Sequence, residues 1–363
     1  MARRDLDEFE IALAMCGRIG ADLPVEPGDG GWRDRVSAFA PVGDMERAAK
    51  GWIDVLRVRP SGNFGNNYLQ LLHALTVAEA AGIERVSHNF AWFDGGEPAR
   101  DIRLVRRRMI PERQAGLEGA FFLKTNVRAL REATPETFVR LSDEFLAPRL
   151  SVEPVEIAPV ALNLRGGADI FENDAPNGRY GQPPLCFYQM ALLHVLETFG
   201  EMAVAVVHQD ERNPVLAPLV EWLTAEGIDA RLLSGGAERD AAAILGARHL
   251  IMGVTTFADA LAMMSPRLES ATAFRHGPME ALLARKAPRF FRVEDAAGDY
   301  FGPMRWSNSD RQRRMMVEYP EEALDLVEAG VRLDLSASAR EGRRLRRAAR
   351  RRRKLASFGL TRP

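Results

Sequence analysis

Between residues 158 and 264 an apolar, strand-like run gives way to a helix-periodic run four times in succession. The pairs are 158–164 with 185–199, 203–208 with 215–226, 228–233 with 237–246, and 248–252 with 256–264. A strand that is apolar along most of its length has no solvated face. It belongs in a parallel sheet covered on both sides by the helices that connect its strands. That pattern sets the class as α/β. A further strand is expected at Phe290–Val293, and helices at Ser309–Glu318 and Pro320–Ala329.

With 363 residues the chain is too long for one ordinary core. Upstream of the alternation the signals are sparser. Residues 1–48 read as a partly helical lead-in, with a helix possible over Glu8–Ile19. Trp52–Val58 reads as a strand, 61–67 as a glycine-bearing loop, Tyr68–Ala81 as an amphipathic helix stopped by Gly82, and Arg85–Asn89 as a second strand. Residues 94–116 read as loops with a short strand, and Phe121–Lys124 as another possible strand. Pro135–Leu146 reads as a helix capped by Thr134. Pro148 and Pro154 mark 147–156 as a linker. The expected organisation is an N-terminal α/β domain over 1–150, a C-terminal α/β domain over 151–305, closing helices over 306–335 and a basic tail over 336–363. A ligand cleft is expected between the two domains.

Several function classes drop out. The segment MARRDLDEFEIALAM lacks the apolar stretch of a secretory signal, and no run of 18 apolar residues exists to span a membrane. A cytoplasmic location is the expectation. Cys16 and Cys186 build neither a disulfide framework nor a zinc signature. His73, His194, His208 and His249 are scattered, and only His208, at a strand end, is placed where it could face a cleft. The one Asp-x-Asp sequence, Asp5-Leu6-Asp7, precedes any sheet. No metal site and no cofactor are expected. Met263 and Met264 read as core.

Three places carry chemistry. The apolar run Ala158–Leu164 stops at Arg165, Gly166 and Gly167. An arginine at the carboxyl end of a buried strand sits where open α/β sheets bind ligands, and its planar fork of donors suits phosphate. The bland reading is a salt-bridged arginine, against which the two glycines speak because they let a ligand approach. Asp169 could orient Arg165, cap the next turn, or act as a base. Second, Gly62-Asn63-Phe64-Gly65-Asn66-Asn67 lies between a strand and a helix. It is either a phosphate-facing loop or a tight turn with Asn67 as cap. Third, Thr255 and Thr256 open a helix after a strand, which makes either an anion site or a plain cap.

In this order the three places resemble the fucosyltransferase superfamily, which includes α-1,2-, α-1,6- and protein O-fucosyltransferases. Its G-x-x-G-N-Q loop is matched by Gly62, Gly65 and Asn66, with Asn67 in place of glutamine. Its H-x-R-x-G-D motif is matched by Arg165, Gly166 and Asp169, with Asn163 in place of histidine and one extra residue before the aspartate. Its S/T-S/T-F turn is Thr255-Thr256-Phe257. The likeness spans about residues 52–265, and the 180–188 segment YGQPPLCFY resembles a loop of uncharacterised relatives.

The resemblance implies a GT-B-like fold of two Rossmann-like α/β domains facing a cleft. It implies a metal-independent glycosyltransferase whose substrate is a nucleotide sugar, GDP-fucose by default. Arg165 would hold the β-phosphate and, with Asp169, serve catalysis. Gly166, Gly167, Thr255, Thr256 and Phe257 would bind the donor. Gly62, Asn63, Gly65 and Asn66 would face the cleft from the acceptor side, toward a glycan or lipid-linked glycan. The departures at 163 and 169 leave another nucleotide sugar open. Asp169 and Glu172 are the candidate bases.

Residues 340–354 hold ten Arg or Lys against one Glu, in a chain of formal net charge −1. A solvated charge run, a peripheral contact with anionic lipid, and a nucleic-acid grip are all readings of this tail. Lipid is preferred to nucleic acid because no aromatics interleave the charges. Two rival functions stand beside the transferase: a nucleotide-sugar or glycan binder without turnover, and a nucleic-acid-associated protein acting through the tail.

Overall fold

Four strands form the smaller of two sheets in this computed structural model: β1 (Val55–Val58), β2 (Arg85–His88), β3 (Arg103–Arg106) and β4 (Gly116–Gly119). All pair in parallel, in the order β3-β2-β1-β4. The structure describes residues 55–58, 62–96, 101–106, 116–119, 130, 132–178, 180–274, 279–300, 306–328 and 331–332. The lead-in with Asp5 and Cys16, the expected strand at Phe121–Lys124 and the basic tail lie outside these described residues.

Helix α1 (Phe64–Ala81) connects β1 to β2. Apolar spacing places its start at Tyr68, but the helix begins four residues earlier. The supposed loop over 61–67 therefore yields its second half to the first helical turn, where the Asn67 N–H donates to the Asn63 carbonyl at 3.0 Å. Asn63, not Asn67, occupies the cap position. The early start has an apolar cause: Phe64 is buried against Trp92, Phe93 and Phe257. The helix is enclosed nearly all round, with Leu71, Leu72, Leu75 and Ala78 fully buried.

Helix α2 (Pro135–Leu141) starts as expected, with Thr134 Oγ1 accepting the Thr137 N–H at 3.3 Å. It widens into a π turn at Ser142–Leu146 and tightens to a 3₁₀ turn at Ala147–Arg149. Removing the cap in Thr134→Ala should cost about 1 kcal/mol in a urea melt, because one helix-end N–H loses its partner. An unchanged midpoint would show that solvent replaces the hydroxyl fully.

The larger sheet has eight strands: β5 (Val160–Leu164), β6 (Ala203–His208), β7 (Asp229–Leu233), β8 (His249–Met252), β9 (Ser270–Phe274), β10 (Arg289–Asp295), β11 (Leu324–Glu328) and β12 (Val331–Arg332). Their order is β12-β11-β10-β9-β8-β5-β6-β7. β5 to β10 are mutually parallel, and β11 and β12 are antiparallel additions. Counted from β5 as strand one, the parallel part reads 3-2-1-4-5-6, the doubly wound order of a Rossmann fold. The chain reverses its winding between β5 and β8.

Helices cover both faces, as the strand pattern requires. They are α3 (Ala168–Phe171), α4 (Leu185–Phe199), α5 (Leu216–Glu226), α6 (Ala237–Gly246), α7 (Thr256–Met264), α8 (Glu280–Lys286) and α9 (Asp310–Glu318). One face buries Val160, Leu162, Val204 and Val206 under residues of α4 and α5. The other turns Ala161, Ala205 and Leu250 toward α6 and α7, where Met263 and Met264 are core. This second core runs without interruption into α1, α2 and the smaller sheet. No described helix is long and apolar enough to cross a membrane.

One further expectation needs correction. The closing helix at Pro320–Ala329 is a 3₁₀ turn followed by β11. The period there is two: Leu324 and Leu326 are buried while Asp325 and Val327 are not, and β11 pairs antiparallel with β10. A two-pronged ion pair between Arg289 and Glu328, at 2.5 and 2.9 Å, closes that edge. Strand β9 and helix α8 went unread. β9 carries buried Ser270 and Thr272, so its polarity hides a core strand.

Candidate functional site

Parallel strands leave a crevice where their connections diverge to opposite faces, outside the carboxyl ends at the switch point. A cleft of about 580 Å³ occupies that position here. The larger sheet supplies Asn163, Leu164 and Arg165 from the end of β5, and Val207, His208 and Gln209 from the end of β6. Gly236, Ala237 and Asp240 come from the start of α6, and Thr255 and Phe257 from the start of α7. From across the cleft come Gly62, Asn63, Phe64, Asn67 and Trp92.

Arg165 is held from two sides. Its guanidinium donates to Asp169 Oδ2 at 2.9 Å, and its Cζ lies 4.6 Å from the centre of the Tyr180 ring. The Arg165 carbonyl accepts from Asn213 Nδ2 at 2.9 Å, which fixes the backbone beneath the side chain. The two glycines that follow are steric necessities. A Cβ on Gly166 would strike the Asp210 carboxylate, and Gly167 has a φ of +113° that side chains rarely adopt. Burial disfavours ionisation of Asp210. Hydrogen bonds from the Arg212 and Gly167 backbones and the Arg212 guanidinium outweigh it, and the carboxyl is held below its usual range. Arg212 also binds Glu172 at 2.6 Å. The acidic side chains beside Arg165 are therefore engaged: Asp169 by Arg165 itself, Asp210 and Glu172 by Arg212.

Opposite Arg165 across the switch point, α7 begins. Thr255 is its cap, and Thr255 Oγ1 accepts the Phe257 N–H at 3.1 Å. Thr255 and Phe257 bring the start of the helix to the cleft, where the helix dipole favours an anion.

Other residues of the lining have the opposite character. Asp240 accepts the Gly235 N–H at 3.1 Å, and burial raises its carboxyl above the usual range against the pull of Gly235, His208 and Arg239. Asn163 is buried, and its Oδ1 has no hydrogen-bond partner among the described residues. His208 Nδ1 lies 3.4 Å from the Asp210 carbonyl. The lining thus offers both donors with positive charge and acceptors. Among the described residues no group of three or more His, Cys, Asp or Glu is placed to hold a metal.

Of the residues singled out from the sequence, Gly62, Asn63, Arg165, Thr255 and Phe257 line the cleft. Gly65, Asn66 and Thr256 lie together behind it, in the seam between α1 and α7, where Thr256 Oγ1 donates to Asn66 Oδ1 at 3.4 Å. Gly166, Gly167 and Asp169 shape the Arg165 turn rather than the lining. His208 does face the cleft. His194 and His249 pack against Phe291 and Phe199 instead. Sequence reading missed Asp240, Gly236 and Trp92. The pair Gly235-Gly236 between a strand and a helix was the available signal for the first two.

No family model and no curated protein matches the chain. Among solved structures, it is similar to POFUT1 in complex with GDP, at 12% identity and a TM-score of 0.38 over 60% of this chain and 97% of that one. The GDP-fucose complex of POFUT1 matches at 12% identity and a TM-score of 0.36, over 60% and 96% of the two chains. The bacterial iron-containing dodecameric glycosyltransferase TibC from enterotoxigenic E. coli H10407 matches at 13% identity and a TM-score of 0.34, over 61% and 58%. Likenesses this distant carry no side chain across.

Proposed function

We propose that the chain is a glycosyltransferase that takes its sugar from a nucleoside diphosphate, GDP-fucose by default, and passes it to a glycan or glycolipid. The observation that carries this reading is the pairing of Arg165 with the Thr255-capped start of α7, on the two sides of a Rossmann-order switch point, in one cleft. In this reading a diphosphate lies between them. As the sugar departs, negative charge builds on the diphosphate, and fixed donors already in place lower the barrier. In this reading the protein's own charge does that work and a chelator leaves the reaction unaffected. The acceptor enters from the side of Asn63 and Trp92.

Asp240 supports the choice of base. A carboxylate accepts two parallel N–H donors, and guanine offers such a pair at its ring N–H and exocyclic amine; uracil has only the ring N–H and adenine only the amine. A thermal-shift comparison of GDP, UDP, ADP and CMP, with and without EDTA, should favour GDP and show no effect of EDTA. Asp240→Asn should erase the GDP preference, roughly tenfold to a hundredfold. A stronger response to UDP or ADP would overturn the guanine reading.

One observation favours the reading without turnover. Asp169 and Glu172, the candidate bases, are both ion-paired. Donor hydrolysis or transfer, assayed beside binding, separates the two: binding with no turnover on any acceptor makes the chain a binder.

A further inference from the structure

Arg165 and the α7 turn belong to different strand connections, and something must hold them in register. We propose that Gln182 is the positioning residue that does so, a role that rests on reading the cleft as a diphosphate site. Gln182 is fully buried. Its Nε2 donates to the Tyr180 carbonyl at 3.0 Å and to the Val254 carbonyl at 3.2 Å. Both partners are acceptors, so the amide is forced to present its NH₂ group to them. Tyr180 is the ring beneath the Arg165 guanidinium, and Val254 immediately precedes Thr255. One side chain therefore ties the platform of the arginine to the turn that caps α7.

The bracket is itself anchored. The Gln182 carbonyl accepts from Tyr300 Oη at 2.6 Å, and Tyr300 packs edge-on against Phe274 and Tyr319. Pro183 and Pro184 follow, fixing two backbone angles before α4 begins at Leu185. A Cβ on Gly253 would stand 3.1 Å from Tyr188 Oη and 3.5 Å from Gln182 Oε1, so the amide fits closely against the end of β8. Gln182 is absent from the cleft lining. It acts on a ligand only through Tyr180, Arg165 and Thr255.

The test uses the full chain and titrates GDP and guanosine by calorimetry. Gln182→Leu removes both donors at similar volume, and Tyr180→Leu removes the ring from a half-buried position. Each should weaken GDP about tenfold while leaving guanosine within about twofold, because only the phosphate end loses its geometry. A variant that merely loosens the fold weakens both ligands alike. In the Arg165→Ala background Gln182→Leu should weaken GDP less than it does in the unaltered chain, since coupled residues do not add, and what remains is its effect on the Thr255 turn. If the unaltered chain binds none of GDP, UDP and ADP, the diphosphate reading itself fails; if it prefers UDP or ADP, that nucleotide and its nucleoside replace GDP and guanosine in the titration. If it binds GDP and Arg165→Ala loses it, but Gln182→Leu and Tyr180→Leu bind GDP normally, the positioning role is overturned. An equal loss of GDP and guanosine also overturns it.

Discussion

Arg165→Ala should abolish sugar transfer, lowering turnover by roughly 10²- to 10³-fold, the loss seen when one fixed donor to a developing anion is removed. GDP affinity should fall in parallel, because the charge-assisted fork to phosphate is among the stronger polar contacts a protein makes. The fold should survive. Arg165 keeps 20% of its side chain in solvent and Asp169 keeps 52%, so their ion pair contributes about 0–1 kcal/mol at most. Arg165→Lys should fall between, since it restores the charge without the planar fork that stacks on Tyr180. Donor turnover and GDP calorimetry measure the loss, and a circular-dichroism melt checks the fold. Full activity in a folded Arg165→Ala protein would end the role given to this residue.

The reason Arg165 could be found in the sequence is also the reason other parts could not. Strands β5, β6 and β8 are buried on both faces, so most of their residues are apolar and their ends are abrupt. An arginine after such a run announces a sheet's carboxyl edge. Asp240 has no comparable contrast: it sits inside a helix among alanines, and only the fold brings that helix to the cleft. Trp92 is one of three aromatics, with Phe90 and Phe93, in a connection whose course depends on β2 and the bridge between Phe93 and Leu150. Strand β11 was misread because LDLVE follows a helix and lacks the β-branched density of a buried strand, and antiparallel pairing with β10 decided its form. The start of α1 was misplaced because glycine and asparagine argue for a loop. They are tolerated in a first turn when a neighbour demands small residues, and α7 is that neighbour.

That demand makes Gly65→Ala a damaging substitution despite its small size. On an exposed helix the change should help, since alanine outranks glycine by about 1 kcal/mol in helix propensity. Here the new Cβ would stand 2.7 Å from Phe257 N and closer still to the carbonyl of Thr256. Those atoms are backbone, so no rotamer change relieves the clash. Either α1 or α7 must move. Both are embedded in the core shared by the two sheets, where close packing transmits displacement rather than absorbing it. Overpacking of this kind costs about 1–3 kcal/mol or more, enough to reverse the propensity gain. The melting temperature should drop by several degrees. The same shift displaces Thr255 and the start of α7, so GDP affinity should fall even below the melting transition, although Gly65 lies outside the cleft lining. Differential scanning calorimetry with and without GDP measures both effects. A Gly65→Ala protein that melts at or above the unaltered temperature and binds GDP normally would show that α1 and α7 have room to separate, and that the seam behind the cleft does not set its geometry.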